Sequence, residues 1–485
     1  MVSRIVSHLP AQCVISVLPQ VCRALGQVCE DNSAWQLRAQ RLTGPLRSFP
    51  VGPTGHFDWP TACLEMERLI ERWPGRDEPA EPEAGIKLQK EVPEDEFVQE
   101  KGGEAGDAAA NLERHEVGAE GQPGAAEEGI RLGNEENPER DNEKEKEEQE
   151  NNIKGEKESE KAATEDKDSQ DRHVDQADSG QDVTTNLKPS LEHIVLPSCH
   201  IADVNTVLLV GGEGSVCVSG SKDYNVNLWD VRGGSNAKLL AKLGACGPFA
   251  TTHKGWVWCL AAGRDFLASG SFDSTVKLWD LTAGGTERGS IRSSAAVLSL
   301  SCRDHMLFVA SHDQKVSIYD TRAAEPLVKS LRLHSDKVLC LASDEQYILS
   351  GSTDNTVAVF DRRAGKPLKK IHLSSYLLSM SYSGTQVWAG DNQGLLHTFS
   401  LNEGSFKSIA RFNVGHAALV TGVHHSPGTL YTCSSDRTLK VHLPCAPPKT
   451  LCTRRYKEVL KGLSVEAGVL AVASGENVEV WRPRQ

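Results

Sequence analysis

The feature that most constrains this 485-residue chain is a segment of about a dozen residues that returns at a nearly fixed interval. Ser219–Asp230 and Ser269–Asp280 match almost position for position: each opens Ser-Gly-Ser-x-Asp and closes Leu-Trp-Asp. Asp313–Asp320 and Ser350–Asp361 continue the series. Gln393–Phe399, Asp436–His442 and Ala473–Trp481 keep its frame more loosely. The aromatic position falls at Trp229, Trp279, Tyr319, Phe360, Phe399, His442 and Trp481, at intervals of 50, 40, 41, 39, 43 and 39 residues. Between copies, short alternating apolar runs are punctuated by turn residues, the pattern of strands rather than helices. A unit of this size cannot bury its own apolar faces, so successive units must pack on one another.

A period of about 40–45 residues with this signature resembles the WD-repeat family, over residues 191–485. The resemblance implies a mainly β fold, a seven-bladed WD40 β-propeller with four strands per blade. The last copy stops four residues short of Gln485, so blade seven lacks its outer strand. Residues 192–197 are expected to supply it and remove a free sheet edge. The family also implies a hydrogen-bonded His–Ser/Thr–Asp–Trp set inside each blade. His200, Ser219, Asp223 and Trp229 fit, as do His253, Ser269, Asp273 and Trp279. His334, Ser350 and Asp354 fit with Phe360 in the Trp place, and His416, Thr432 and Asp436 with His442. In blade three Val309 takes the Ser/Thr place, and in blade five Gln393 replaces Asp, so both are expected to rely on apolar packing. A recurring Ser/His/Asp set also suggests a hydrolase, but a hydroxyl committed to its strand in blade after blade is no nucleophile. No cofactor and no metal are expected. Gly211–Ser215 lacks the Lys and Ser/Thr of a phosphate loop, and the adjacent His424 and His425 point to opposite faces of a strand.

Composition divides the rest of the chain. Between residues 76 and 190 there are 35 Asp and Glu against 15 Lys and Arg, a net of −20 in a chain whose total is −13. The remainder is therefore mildly basic. Phe97 is the only aromatic residue of that segment, and runs such as Asn142–Glu148 are low-complexity. The expectation is a disordered acidic linker over 76–190. The 13 cysteines include no C-x-x-C pair, which fits reduced thiols and a cytoplasmic or nuclear location. No apolar run is long enough for a membrane span, and neither membrane nor nucleic acid is an expected partner.

Residues 1–75 read as helical. Val14, Val17, Leu18, Val21, Leu25 and Val28 recur at three- and four-residue spacing, one face of a helix. A further helix is expected from Trp35 to Leu42 after Asp31 and Asn32, and another from Thr61 to Trp73, stopped by Pro74-Gly75. Ile5–Leu9, the Val21-Cys22-Arg23 triplet and Asp31 followed by Trp35 resemble an F-box. That resemblance implies a Skp1-type adaptor partner, and through it a cullin, with Ile5, Val6, Leu9, Pro10, Leu18, Val21, Cys22, Leu25 and Trp35 as the adaptor-binding residues. Leu25 stands where the family usually has Trp, and no Leu-Pro pair precedes the first helix, so the 1–42 module is expected to be N-terminally incomplete. Residues 43–75 form its helical extension. An F-box, then Phe57-Asp58-Trp59-Pro60, then a WD propeller resembles the F-box/WD-repeat family.

That family implies a non-catalytic substrate receptor of a Skp1–cullin–F-box (SCF) ubiquitin ligase, with a protein substrate on the propeller. The alternative is a scaffold that assembles complexes without ubiquitin transfer. The expected substrate-binding loops carry Trp256, Trp258, Phe272, Lys337, Asn355, Tyr376, Asn392 and Arg437. No arginine cluster suited to a multiply phosphorylated ligand appears among them. An aromatic- or apolar-anchored peptide is therefore expected, against the alternative that the tryptophans only pack between blades.

Overall fold

A computed structural model describes residues 5–21, 27, 32–52, 54–55, 57–73, 191–197, 199–244, 251–402 and 404–484. The acidic 76–190 segment lies outside these residues, as do Cys22, Leu25 and Val28.

Seven four-stranded antiparallel sheets form a seven-bladed β-propeller. Blades I to VI take their strands consecutively, from Val204–Val210 in blade I to Lys449–Arg455 in blade VI. Blade VII is made from Leu460–Glu466, Val469–Ser474 and Asn477–Pro483, and Leu191–Val195 pairs with the last of these, His193 opposite Trp481. The strand expected at 192–197 thus closes the ring, and neither end of the repeat array leaves an unpaired edge. The first strand of each blade packs on the first strand of the next, around the central axis.

The residue types of the repeat explain why each blade holds together. In blades I, II and IV the His Nε2 lies 2.8 Å from the Ser Oγ, and in blade VI from Thr432 Oγ1. The opposite nitrogen, Nδ1, faces the Asp carboxylate at 2.8 Å in blade I and 3.1–3.2 Å in blades II, IV and VI. A carboxylate only accepts, so Nδ1 carries the proton and Nε2 accepts from the hydroxyl. Trp229 and Trp279 donate from Nε1 to the same Ser oxygen at 3.0 and 2.9 Å. Donation therefore runs one way, Trp to Ser to His to Asp. Burial alone would push these carboxyls up, but the His contacts and backbone N–H groups more than reverse it, and Asp223, Asp273, Asp354 and Asp436 all sit below the ordinary range. Ser219, Ser269 and Ser350 are wholly buried, so their hydroxyls face no solvent.

Blade III follows the expectation of apolar packing: Val309 is buried among Leu300, Leu307 and Tyr319. Blade V does not. Its wholly buried Asp391 accepts from Ser375 Oγ at 2.6 Å, pairs with His397 Nε2 at 2.8 Å, and takes the backbone N–H groups of Gln393 and Leu395. The carboxylate has moved two residues along the strand, so Gln393 replaces nothing.

The N-terminal helices are α1 (Ala11–Ser16), α2 (Leu18–Val21), α3 (Asn32–Thr43) and α4 (Trp59–Arg72). The single helical face expected over 14–28 is broken at Val17, because Pro19 lacks an N–H and its ring crowds the preceding turn. Helix α4 starts where Asp58 accepts from Thr61 N, with Pro60 in its first turn. Wholly buried Arg38 ties this region together. It donates to Glu67 at 2.8 Å and to the Val6 carbonyl at 2.6 Å, and Glu67 also accepts from Ala11 N.

Helix α4 lies on the turns of blades VI and VII. Glu65 accepts from Ser426 Oγ at 2.6 Å and from Gly428 N at 2.8 Å. Gly428 is required there: a Cβ would stand 2.3 Å from the Ala62 carbonyl oxygen. Lys449 Nζ donates to the Leu42 carbonyl, and Ser48 bridges Ala446. Trp73 packs on Trp481 at 5.5 Å, which stacks on His193 at 4.2 Å. The two folded flanks of the acidic segment thus meet through one tryptophan.

Candidate interaction face of the propeller

Each blade's first strand carries a register shift near its start, inserting Asn205, Trp258, Leu298, Leu339, Leu378, Thr421 and Lys461 in blades I to VII. A bulge of this kind re-aims its side chain. Two residues before it, a carbonyl accepts from the backbone N–H of the turn between the second and third strands. The pairs are Lys222 to Asp203, Phe272 to Trp256, His312 to Ala296, Thr353 to Lys337, Asn392 to Tyr376, Ser435 to Leu419 and Gly475 to Val459. This bond recurs in all seven blades and fixes three side chains per blade at one end of the axis. The turns that hold α4, at Gly428 and Gly468, are at the other end.

The sequence-derived candidates occupy these positions unevenly. Trp256, Trp258 and Phe272 form one half-buried cluster in blade II. Trp256 stacks on Trp258 with centroids 6.5 Å apart, and Phe272 sits 5.6 Å and 5.1 Å from the two. Tyr376 and Asn392 are partners in blade V. Burial raises the Tyr376 phenol above its ordinary value, opposed by Asn392 and the nearby Lys337 charge. Asn355 and Arg437 are exposed and stand apart from the aromatic cluster. They adopt φ of 59° and 67° at the left-handed corner of the outer turn, a conformation few non-glycine residues take.

A charged pole adjoins the aromatic cluster, and sequence reasoning missed it. Lys461 Nζ lies 2.7 Å from Asp203 and 3.3 Å from Asn205 Oδ1, and Lys222 Nζ sits 3.6 Å from Asp203. The Lys222 ammonium also lies over the Trp256 ring at 4.7 Å, a cation–π contact. Burial pushes the Asp203 carboxyl up, but its lysine partners bring it below the ordinary value. Burial lowers Lys461. The signal was available: Asp203, Lys222 and Lys461 hold the repeat positions of Trp256, Phe272 and Trp258.

The F-box-like residues also divide by exposure. Ile5, Val17 and Val21 are more than half exposed and Pro10 is exposed, whereas Leu9 and Leu18 are partly buried. Val6 and Trp35 are buried in the helical core, Trp35 against the Arg38 guanidinium, so neither side chain is available on the surface. Among the described residues, no group of three His, Cys, Asp or Glu could hold a metal.

The WD domain, G-beta repeat family matches residues 246–280, 325–361 and 406–442. F-box/WD repeat-containing protein 9 of Bos taurus is 37% identical over 482 residues, covering 99% of this chain and 80% of that protein. The Homo sapiens protein of the same name is 36% identical over 483 residues, with the same coverage. This chain belongs to the F-box/WD-repeat family. The likeness spans both the helices and the propeller of this F-box/WD-repeat protein. Among solved structures, the RRP9 WD40 repeats superpose with a TM-score of 0.52 at 17% identity, over 60% of this chain and 98% of that one, which bears on the fold alone.

Proposed function

We propose that this F-box/WD-repeat protein is the substrate-recognition subunit of an SCF-type ubiquitin ligase. The N-terminal helices dock a Skp1-type adaptor, and through it a cullin, by the apolar surface that includes Ile5, Val17 and Val21. The propeller end carrying Trp256, Trp258 and Phe272 takes a protein segment with an aromatic or aliphatic anchor, and the Lys222–Asp203–Lys461 pole orients its polar flank. The chain contributes placement rather than bond chemistry.

The observation that carries this reading is the seam between α4 and blades VI and VII. Glu65, Lys449 and Trp73 fix the helices to the propeller end opposite the aromatic cluster, so adaptor and substrate are held at a set separation. Supporting it, exposed apolar side chains concentrated on short helices are what a partner surface requires. Co-purification of the full chain with Skp1 and a cullin tests the proposal. A stable complex that is lost in Val21→Asp is expected. Absence of any complex with the wild-type chain leaves the scaffold reading instead.

A further inference from the structure

A cavity of 430 Å³ lies under α4, where the helix covers the turns of blades VI and VII. Arg68 and Arg72 stand one helical turn apart and line it from the same face of α4. The Arg72 guanidinium lies against the left-handed turn of blade VII, where a Cβ on Gly468 would collide with its Nη1. His424 and Tyr431, opposite one another on the first two strands of blade VI, form another wall. Leu69 and Val465 supply apolar surface.

The charges of these walls do not balance. Two guanidiniums face one carboxylate, Glu65, which already accepts from Ser426 Oγ and Gly428 N. Arg68 Nη2 donates to Gln12 Oε1 at 3.0 Å, which uses one of five N–H groups. Burial lowers Arg72 from its ordinary value, and the Arg68 charge adds to this. Tyr431 opposes the effect only as a phenolate, and burial pushes its phenol up to about 12, so at neutral pH it is an uncharged donor. Exposed Glu71 offsets it least. His424 makes no hydrogen bond among the described residues, yet its ring nitrogens, unlike those of His425, are not sealed from the space it lines. Burial pushes this imidazole down to about 4, so the ring is uncharged and offers one N–H and one lone pair.

We propose that this cavity binds a small organic hydroxy acid carrying a single carboxylate, seated between α4 and the turns of blades VI and VII. The carboxylate pairs with Arg68 and Arg72, whose planar forks match it in geometry. The apolar body lies on Leu69 and Val465, and the hydroxyl meets His424 and Tyr431. The volume falls within the range of small-molecule sites, and apolar surface with a few convergent polar groups is their usual character. Charge selects a monoanion. One negative charge neutralises the surplus guanidinium, whereas a phosphate group carries about −1.5 to −2 and would leave excess negative charge beside Glu65. A ligand held this way touches α4 and both blades, so it stiffens the seam between helix and propeller.

Calorimetric titration of the full chain with 4-hydroxybenzoate, and with 4-hydroxybenzamide as its neutral isostere, tests the assignment. Saturable 1:1 binding of the acid is expected, with the amide and inorganic phosphate each at least tenfold weaker. Arg72→Gln should lose at least tenfold in affinity for the acid. In 15N-histidine-labelled protein the imidazole nitrogen resonances of His424, assigned with His424→Gln, should move on binding. Should Arg72→Gln misfold, the amide comparison and the His424 shifts in the wild-type chain still decide the matter. Acid that never saturates, amide or phosphate that binds as well, or binding that leaves the His424 nitrogens unmoved overturns the proposal. Neither adaptor nor substrate enters the assay, so its outcome is separate from that of the receptor reading.

Discussion

Replacing Gly428 by Ala should release α4 from the propeller while leaving the propeller's own repeats intact. Gly428 sits in the first turn of blade VI with an ordinary φ, so the added methyl group brings no backbone strain of its own. It has nowhere to go, however. It would meet the Ala62 carbonyl oxygen at 2.3 Å, Glu65 Cβ at 2.6 Å and Met66 N at 2.9 Å, and two of these belong to helix backbone that cannot rotate away. Relief requires α4 to lift by about an ångström. Overpacking of this kind costs about 1–3 kcal/mol. The lift also stretches the 2.8 Å bond from Gly428 N to the Glu65 carboxylate, a charge-assisted bond contributing about 1.5–3 kcal/mol. Together the docking of α4 weakens by roughly 3–5 kcal/mol, which corresponds to a hundredfold or more in the local opening equilibrium. Hydrogen exchange over Trp59–Arg72 reads this directly. Amides there should exchange at least a hundredfold faster in the variant, and those of blades I to IV should be unchanged. Equal exchange in α4 would refute the close-packed seam.

Four further outcomes follow from the same geometry. Ser269→Ala leaves Trp279 Nε1 and His253 Nε2 buried without partners and should destabilise by about 2–4 kcal/mol in denaturant unfolding. Acid should weaken the fold in two stages. His334, His416 and His425 have folded pKa values below 6.5, so the unfolded chain takes up their protons first and stability declines as pH falls below that value. Asp223, Asp273, Asp354 and Asp436 are held below the ordinary carboxylate value, so a second loss begins as pH falls through about 4, and melting temperature against pH should show both. Because Trp73 and His193 flank one Trp481 ring, replacing residues 76–190 by about ten Gly and Ser residues should keep the fold and raise stability by about 2 kcal/mol through reduced loop-closure entropy. Trp256→Ala with Trp258→Ala should abolish capture of propeller ligands, read by affinity purification, with adaptor binding unchanged.

Much of the fold was legible because the propeller repeats its chemistry at a readable period. Trp229 and Trp279 donate to Ser219 and Ser269 ten residues earlier, and that fixed offset made the blades countable. The closing strand was legible because a sheet edge cannot stay open. Blade V was not, since moving Asp391 two positions along the strand and taking His397 from the third strand gives an equivalent carboxylate cage with no matching string. The break at Val17 was readable in principle, from Pro19, but the apolar spacing on either side outweighed it. The Arg38–Glu67 clamp and the Glu65–Gly428 seam join residues far apart in the chain, and no local pattern announces either. At the candidate face, the aromatic cluster was found because its residues are unusual in loops. The Lys461–Asp203–Lys222 pole was missed because charged residues in loops are ordinary; only the seven-fold alignment marks them.

The most direct test of the receptor account is a reconstituted ubiquitin-transfer reaction containing Skp1, a cullin with its RING partner, a charged E2 and the proteins retained by the wild-type propeller. The account predicts that these proteins are ubiquitinated with the wild-type chain, and that modification is lost with either Val21→Asp or the Trp256→Ala, Trp258→Ala pair. Captured proteins that stay unmodified although the chain binds both adaptor and ligand would contradict it.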